Sequence, residues 1–279
     1  MDFLHFLYDT APGRILLKAL SGRALSRFCG AMLETKASRL LIPGFIRRAG
    51  IDTEEFELGG VRCFNDFFCR PLKPGRRPVD PDVGALVAPC DGLLTAIPLR
   101  GDTVLPVKQS RYTLSSLLRD ESLAAEFQDG LCLVFRLCVH HYPRYAYFDG
   151  GEKSSDVFLP GALHTVRPVA LAQRPVFAEN CRSYTRLQSE SFGEAVQMEV
   201  GAMLVGKIVN DRPGPAAVRR GEEKGHFAYG GSTILVLLKR DAAVLREDIL
   251  RASQDGFETP VRMGERIGSA TDKKEGEKP

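Results

Sequence analysis

The stretch YGGSTILVLLKRD, residues 229–241, contains a run with the character of a core strand. After its serine, the central STILVLL is β-branched and aliphatic throughout, which is typical of a strand buried on both faces. Two glycines stand directly before Ser232 at the entrance to this run. Because glycine accepts backbone angles and close approaches that a Cβ atom blocks, the sequence predicts a rigid strand that begins at a permissive backbone.

Further apolar runs between turn signals begin near Leu86 and read LVAP, LLTAIPL, LCLVFRLCV and AVQMEVGAMLVGKIV. Short runs of this kind predict a mostly antiparallel β domain. One helix is expected from Thr113 to Leu123, with Thr113 as its N-cap. The proline-rich, basic stretch 64–82 is expected to run extended over the surface rather than to form a core helix.

The N-terminal segment differs from the rest of the chain in charge and periodicity. Residues 1–50 carry eight Lys or Arg against three Asp or Glu, whereas the net charge of the whole chain is only +3. Apolar stripes flanked by basic residues suit helices lying on an anionic bilayer, and helices that simply cover the main domain fit the same pattern. We therefore predict an α+β protein with a helical membrane-associating segment at 1–52, a β-rich main domain at 53–263 and a flexible polar tail at 264–279.

Composition narrows the class of protein further. The small net charge gives no reason to expect a nucleic-acid partner. The seven cysteines are an odd number without a CxxC spacing, which predicts a reducing compartment, no disulfide framework and no metal site. No apolar run approaches the ~18–20 residues that a membrane span needs, and the N-terminus lacks the basic-then-apolar order of a signal peptide. We expect a cytoplasmic protein that can still lie on a membrane surface.

Ser232 is the candidate reactive residue of the opening stretch. The hydrolase elbow G-x-S-x-G is absent, because Ser232 is followed by Thr-Ile-Leu. A hydroxyl held about 3 Å from the preceding carbonyl carbon can instead shift the acyl group from nitrogen to oxygen. Elimination of that ester followed by hydrolysis leaves an N-terminal pyruvoyl group, which acts as an electron sink. A Gly-Gly turn that merely leads into a core strand explains the local sequence equally well.

Eight stretches, taken in order along the chain, carry a resemblance to a known family. They are FLYDTAPGRILLKAL (6–20), FNDFFCRPLKPGRRPVD (64–80), APCDG (88–92), VKQSRYTLSSLL (107–118), PGALHTVRP (160–168), FAENCR (177–182), VGAMLVGKI (200–208) and KGHFAYGGSTILVLL (224–238). On these stretches the chain resembles the phosphatidylserine decarboxylases, particularly their shorter bacterial form. The last stretch resembles the family's self-cleavage site.

The resemblance implies a proenzyme that cuts itself between Gly231 and Ser232. The chains 1–231 and 232–279 would stay paired as a heterodimer, with a covalent pyruvoyl group made from Ser232. The substrate would be phosphatidylserine in the membrane, converted through a Schiff base to phosphatidylethanolamine and CO2. The enzyme would then be a peripheral protein on the anionic, cytoplasmic face of the cell membrane. Asp91 falls on the family's aspartate, which forms a relay with a histidine and the cleaved serine.

The histidine of that relay is where this chain departs from the family. The segment HHYPRYAY at 140–147 places Pro143 and Ala146 where the family's histidines usually stand. In an extended strand His141 would share a face with Pro143, and His140 with Ala146, so His141 is our first hypothesis for the base and His140 the second.

Two further residues stay open at this level. His164 in LHTV is an alternative base or a supporting residue, and for each of the three histidines a structural or surface role fits as well. The guanidinium fork of Arg144 suits a lipid phosphate or carboxylate, although a surface ion pair accounts for it equally.

Two alternative functions fit the same residues. Without the usual histidines, the chain could remain an uncleaved, inactive homologue that acts as a membrane-associated module. It could also be a pyruvoyl decarboxylase of a soluble amino acid, although such a substrate gives no reason for basic amphipathic helices.

Overall fold

The computed structural model describes residues 6–7, 10–20, 22–100, 113–166, 170, 176–202, 207–228 and 232–271. Within these ranges the α-helices are α1 (Ala11–Leu20), α2 (Arg23–Leu33), α3 (Ile42–Ala49), α4 (Phe64–Phe68), α5 (Leu114–Leu118), α6 (Glu121–Glu126), α7 (Val176–Glu179) and α8 (Glu247–Gln254). Two 3-10 helices lie at Lys36–Leu41 and Thr53–Glu55.

Within the same described ranges, the strands form one large sheet and two small ones, and every strand pair is antiparallel. They are β1 (Ala85–Val87), β2 (Gly92–Pro98), β3 (Leu131–Leu137), β4 (Arg144–Ala146), β5 (Gly151–Lys153), β6 (Val157–Leu159), β7 (Arg182–Ser189), β8 (Gly193–Val200), β9 (Ile208–Asn210), β10 (Ala216–Val218), β11 (Glu223–Phe227), β12 (Ser232–Leu238), β13 (Ala243–Leu245), β14 (Thr259–Val261) and β15 (Arg266–Ala270). The large sheet has the order β10-β5-β7-β8-β12-β3-β2-β14, with β6 also paired to β7, and the small sheets have the orders β1-β15-β13 and β4-β11-β9. Together with the N-terminal helices, this architecture confirms the predicted α+β fold.

The run STILVLL forms β12 at the centre of the large sheet, and all seven of its residues are buried. Strand β3 pairs with it on one side and β8 on the other. Leu235 and Leu237 point into the core on one face of the sheet, while Ile234, Val236 and Leu238 point into the core on the other. Full burial of each such aliphatic side chain contributes about 1.5–3 kcal/mol, so apolar packing on both faces anchors β12 in the sheet.

Different layers cover the two faces of the large sheet. The face of Leu235 packs against the helical region, including Leu117 of α5 and Phe177 of α7. The face of Ile234 packs against the two small sheets, including Ile267 of β15 and Phe227 of β11. Strand β12 is therefore sandwiched between helices and a second β layer.

The N-terminal helices share a further core with the main domain. Ile42, Phe64, Phe67 and Phe68 bury their side chains in a third cluster with Tyr142, a residue of the main domain. Other apolar side chains of this region point outward, and none of the described helices is long and apolar enough to cross a membrane.

Three local expectations need correction. The stretch 64–82 begins with helix α4, because Phe64, Phe67 and Phe68 share one helical face that is buried. The helix expected at 113–123 is capped by Thr113 as predicted, but Arg119 adopts a left-handed conformation and divides it into α5 and α6.

The third correction concerns the expected tail at 264–279. Residues Arg266–Ala270 form β15 between β1 and β13, with Ile267 fully buried, so the β-rich unit continues beyond residue 263. The remainder of that tail, 272–279, lies outside the described residues.

Candidate active site

The strand register places the predicted site residues at the ends of neighbouring strands, and these strand ends form one edge of the large sheet. Ser232 opens β12 opposite Leu137, the last residue of β3, and Asp91 directly precedes Gly92, the first residue of β2. Neighbouring strands lie about 4.8 Å apart, so the backbone at Asp91 is two strands, about 10 Å, from that at Ser232. On the other side of β12, Val200 ends β8 opposite Thr233.

Ser232 itself is buried, with 1% of its surface exposed. Its neighbours in the strand hold it rigidly, which suits a group that must present one oxygen in a fixed direction. Gly231, the other residue of the predicted cleavage site, lies outside the described residues.

A polar cavity of about 360 Å³ opens beside this edge. Its described lining residues are Gly50, Ile51, Asp52, Glu55, Phe56, Arg77, Asp91, Gly92, His140, His141, Tyr142, Pro260, Val261, Arg262 and Glu265. Asp91 and both candidate histidines thus share one cavity, whereas Ser232 is not among the described residues that line it. The lining carries charges of both signs, which suits a small zwitterionic or mixed-charge ligand.

Asp91 is held by a buried arginine. The guanidinium of Arg77 makes a fork with the carboxylate, with Nη2 2.7 Å from Oδ2 and Nε 2.9 Å from Oδ1. The backbone N–H of Met263 also donates to Oδ1, at 2.9 Å. Arg77 bonds Glu55 as well, at 3.1 Å. Burial opposes the charge on Arg77, but its hydrogen bonds to the two carboxylates outweigh this and raise its pKa.

His141 is half-buried and neutral at physiological pH. Burial, assisted by the neighbouring His140, lowers the pKa of His141 to about 4. The backbone N–H of Cys138 donates to its Nδ1 at 2.9 Å, so the proton of the neutral ring lies on Nε2. In this state Nε2–H is a donor. For Nε2 to accept a proton, the ring must adopt the other tautomer, which carries its proton on Nδ1, and must give up the hydrogen bond from Cys138.

The strand argument for the two histidines was wrong, because residues 139–141 lie in a turn and β4 begins only at Arg144. The rings of His140 and His141 nevertheless lie close together, with centroids 4.2 Å apart, and both border the cavity of Asp91. His140 is the more exposed of the pair. Their assignment as base stays a prediction.

His164 is not among the described residues that line the cavity. Asn180 accepts a hydrogen bond from its backbone N–H and donates one to its carbonyl, both at 2.8 Å. The same amide donates to the carbonyl of Gly201 beside β8, at 2.7 Å. Nε2 of His164 lies 3.5 Å from a carboxylate oxygen of Glu179. These contacts fit the supporting role considered for His164.

Arg144 is engaged within the protein. Its Nε and Nη2 donate to the carbonyl of Cys69 at 3.0 and 2.9 Å, and its Nη1 pairs with Glu223 at 2.5 Å. This geometry fits the ion-pair interpretation of Arg144, and its predicted contact with substrate stays a prediction.

Sequence reasoning did not single out Arg77 or the ion pair between Glu199 and Lys224. Arg77 acquires its role only through long-range contacts with Glu55 and Asp91. The pair had a signal in the sequence, because a charged residue inside an apolar strand such as QMEVGA must find a partner when it is buried.

The fold and site define an α+β protein with a rigid, buried serine at the start of its central strand and a charged cavity beside it. A family model described as phosphatidylserine decarboxylase matches residues 64–269. A phosphatidylserine decarboxylase proenzyme 2 from Clostridium acetobutylicum is 40% identical over 96% of this chain and 92% of its own length. Phosphatidylserine decarboxylase proenzymes from Ruminiclostridium cellulolyticum and Clostridium botulinum are each 38% identical, over 97% and 96% of this chain and 92% of their own lengths.

This chain therefore belongs to the phosphatidylserine decarboxylase family. The resemblance drawn from the eight stretches is confirmed, and the similarity extends over nearly the whole chain.

Proposed function

We propose that this chain is a self-processing, pyruvoyl-dependent carboxy-lyase that converts phosphatidylserine to phosphatidylethanolamine and CO2. Family membership supports the reaction. The observation that carries the proposal is the position of Ser232 at the first residue of a fully buried central strand, on the sheet edge that also holds Asp91.

Self-cleavage would use the chain's own atoms. The Oγ atom of Ser232 attacks the carbonyl carbon of Gly231, the peptide C–N bond breaks, and an ester and a free amine result. Loss of the Cα proton of Ser232 then breaks the Cβ–Oγ bond and releases the Gly231 carboxylate. Water hydrolyses the remaining dehydroalanine to a pyruvoyl group and ammonia. The rigid strand favours these steps because it fixes the direction of the attacking oxygen.

The site fits a pyruvoyl group, because its precursor Ser232 is the first residue of β12. Since β12 pairs with β3 on one side and β8 on the other, the strand would stay in the sheet after the cut. The pyruvoyl group supplies an electron-withdrawing ketone for decarboxylation. In the adjoining cavity, Arg77 holds the Asp91 carboxylate in place, and the Nε2–H of His141 is directed by the Cys138 bond as a donor. A serine headgroup, with its ammonium, carboxylate and phosphate, matches a lining of both charge signs.

We also propose a peripheral position on the anionic, cytoplasmic face of the cell membrane. Of the eleven large hydrophobic side chains that are exposed in the described ranges, six lie within residues 15–41: Ile15, Leu16, Phe28, Met32, Leu40 and Leu41. We call these six the apolar patch. The exposed side chains of Lys36, Arg39, Arg47 and Arg48 lie close to it in the chain. Apolar side chains beside cations are what an interfacial segment needs.

The reaction is tested by incubating the purified protein with vesicles that contain phosphatidylserine, and in parallel with free serine, and measuring released CO2. We expect the protein to release CO2 from the vesicles and not from free serine. Release from a free amino acid but not from vesicles would favour the soluble-substrate alternative, and a chain that stays uncut and releases none would favour the inactive homologue.

The membrane position is tested by vesicle flotation. Replacing Leu40 and Leu41, which are 85% and 55% exposed, with serine should reduce binding to anionic vesicles several-fold. The matched control replaces Val244 and Phe257, which are comparably exposed but lie elsewhere, and should bind like the unmodified protein. Equal loss in both variants would contradict a role for the apolar patch.

A further inference from the structure

The most buried ion pair of the described residues lies on the same face of the large sheet as Ser232. The Nζ atom of Lys224 lies 2.7 Å from each carboxylate oxygen of Glu199, and both side chains are fully buried. Glu199 stands in β8 directly opposite Ile234 of β12. Because alternate residues of a strand share a face, Glu199 points to the side of the sheet that Ile234 and Ser232 face.

Lys224 belongs to a different sheet. It lies in β11, which pairs with β4 and β9. Gly225, its neighbour, comes so close to β9 that an added Cβ would lie 2.0 Å from the carbonyl oxygen of Val209. The backbone of β11 beside Lys224 is therefore packed closely against β9.

The predicted cut lies where the chain passes between these two sheets. Strand β11 ends at Phe227 and β12 begins at Ser232, so only the four residues 228–231 separate the two strands in the sequence. The ion pair ties β11, on the upstream side of the cut, to β8, which pairs with the downstream strand. Gln197 adds a second tie, since its Nε2 donates to the carbonyl of Ala146 in β4 at 3.0 Å.

Stability alone is a weak reason for such a pair. Removing two charges from water costs about as much as, or more than, their attraction returns, and well-packed apolar residues often replace buried pairs without loss. What an ion pair adds is a defined geometry between the two strands that carry it.

We propose that Glu199 and Lys224 form a clamp that positions the Gly231–Ser232 bond for self-cleavage. The clamp rests on the proposed function. It fixes the separation of β11 and β8, and with it the distance between Phe227 and Ser232, the two strand ends on either side of the cut. Both are positioning residues, acting through the backbone on the reacting atoms. After the cut, the clamp would also keep the new end of the large chain near β12.

The test compares self-cleavage of Lys224→Met with that of Arg220→Met in freshly folded protein. Arg220 is the control, because it is a largely buried cation that, like Lys224, pairs with a buried carboxylate, here Asp149 at 3.3 Å. Asp149 accepts from Ser189, at the opposite end of β7 from the cleavage edge. We expect Lys224→Met to cut at least tenfold more slowly than Arg220→Met while showing a cooperative thermal unfolding transition.

A second readout separates positioning from general loss of structure. Hydroxylamine cleaves esters and spares peptide bonds, so it measures the fraction of chains in which the acyl group has moved to Ser232. We expect a smaller hydroxylamine-sensitive fraction in folded Lys224→Met than in Arg220→Met at equal times.

Each outcome decides the clamp. A folded Lys224→Met protein that cuts at the unmodified rate overturns it. If this variant does not fold, the double variant Glu199→Leu, Lys224→Met removes the unpaired carboxylate and takes its place in the comparison. Failure of both to fold would make the pair a folding requirement and overturn the positioning role. An unmodified protein that never cuts contradicts the proposed function itself, and the clamp with it.

Discussion

Strand β12 and the cavity beside it are organised by opposite physical means. All seven residues of β12 are buried, and apolar packing on two faces fixes their positions. The cavity is fixed by charges, with Arg77 shared between Asp91 and Glu55. Packing tolerates little change, whereas a set of polar contacts can be rearranged. The difference fits what the resemblance implies, namely that the serine is kept while Pro143 and Ala146 stand where the family's histidines are expected.

The largest effect is expected on the β12 side. Ser232→Ala removes the attacking oxygen, so self-cleavage should be abolished and a single full-length band should remain on a denaturing gel. The midpoint of thermal unfolding should change by only a few degrees, because the change removes a single small atom.

Thr233→Val is the control for that variant. The buried Thr233 hydroxyl points to the other face of β12 and has no hydrogen-bond partner among the described residues. Its loss should leave cleavage unchanged. A Ser232→Ala chain that still cut at the same bond would show that another nucleophile is used.

On the cavity side, the largest effect should come from Asp91→Ala. It leaves the buried Arg77 with Glu55 as its one carboxylate partner among the described residues, and breaking a buried pair costs about 3–5 kcal/mol. We expect urea unfolding to show a loss near the lower end of that range, and cleavage to slow in the protein that remains folded.

Glu55→Ala separates these two effects. Glu55 shares Arg77 but is 19% exposed, so its removal should destabilise the protein less and leave the cleavage rate unchanged. Equal cleavage rates in the two folded variants would assign Asp91 a purely structural role.

A smaller effect is expected from the protonation of His141, which should make the free energy of unfolding depend on pH. Because burial lowers its folded-state pKa from 6.5 to about 4, the unfolded chain binds more protons between these values. The free energy of unfolding should therefore fall as pH decreases from 6.5 through 4, and this contribution is complete above 6.5. His141→Ala should show a shallower decline in urea unfolding than the unmodified protein.

The same variant tests the base. If His141 accepts the Ser232 proton, His141→Ala should cut at least tenfold more slowly, while His140→Ala, at the exposed neighbour, should cut nearly normally. Normal cleavage by His141→Ala would remove it from the relay and leave His140 and His164 as candidates.

The smallest effect should come from Arg144. Replacing it with glutamine removes the ion pair to Glu223, worth about 0–1 kcal/mol at a half-exposed site, and hydrogen bonds to the Cys69 carbonyl. If its role is structural, KM for phosphatidylserine should change less than twofold. A tenfold rise in KM with unchanged kcat would instead assign Arg144 to substrate binding.

The sequence predicts those features that local chemistry determines. β12 follows from its unbroken apolar run, and the cap at Thr113 from a side chain that accepts the Ser116 N–H. Helix α4 was missed because the nearby prolines outweighed the i, i+3, i+4 spacing of its phenylalanines. β15 was missed because its partners, β1 and β13, lie far away in the chain.

The site residues divide in the same way, into those that local motifs reveal and those that only the fold reveals. Ser232 and Asp91 could be identified from short motifs, but no local pattern reveals that Arg77 holds Asp91. Nor does it reveal that Cys138 donates to the Nδ1 atom of His141. Both depend on turns and loops whose course is set by the whole fold.

The intact mass of the C-terminal fragment tests the central claim most directly. The account predicts two chains after folding. The small chain should begin at position 232 and extend to Pro279. Its mass should be lower, by the mass of one ammonia molecule, than that of the same fragment with an N-terminal serine. A single uncut chain, or a small chain with an unmodified serine at its N-terminus, would contradict it.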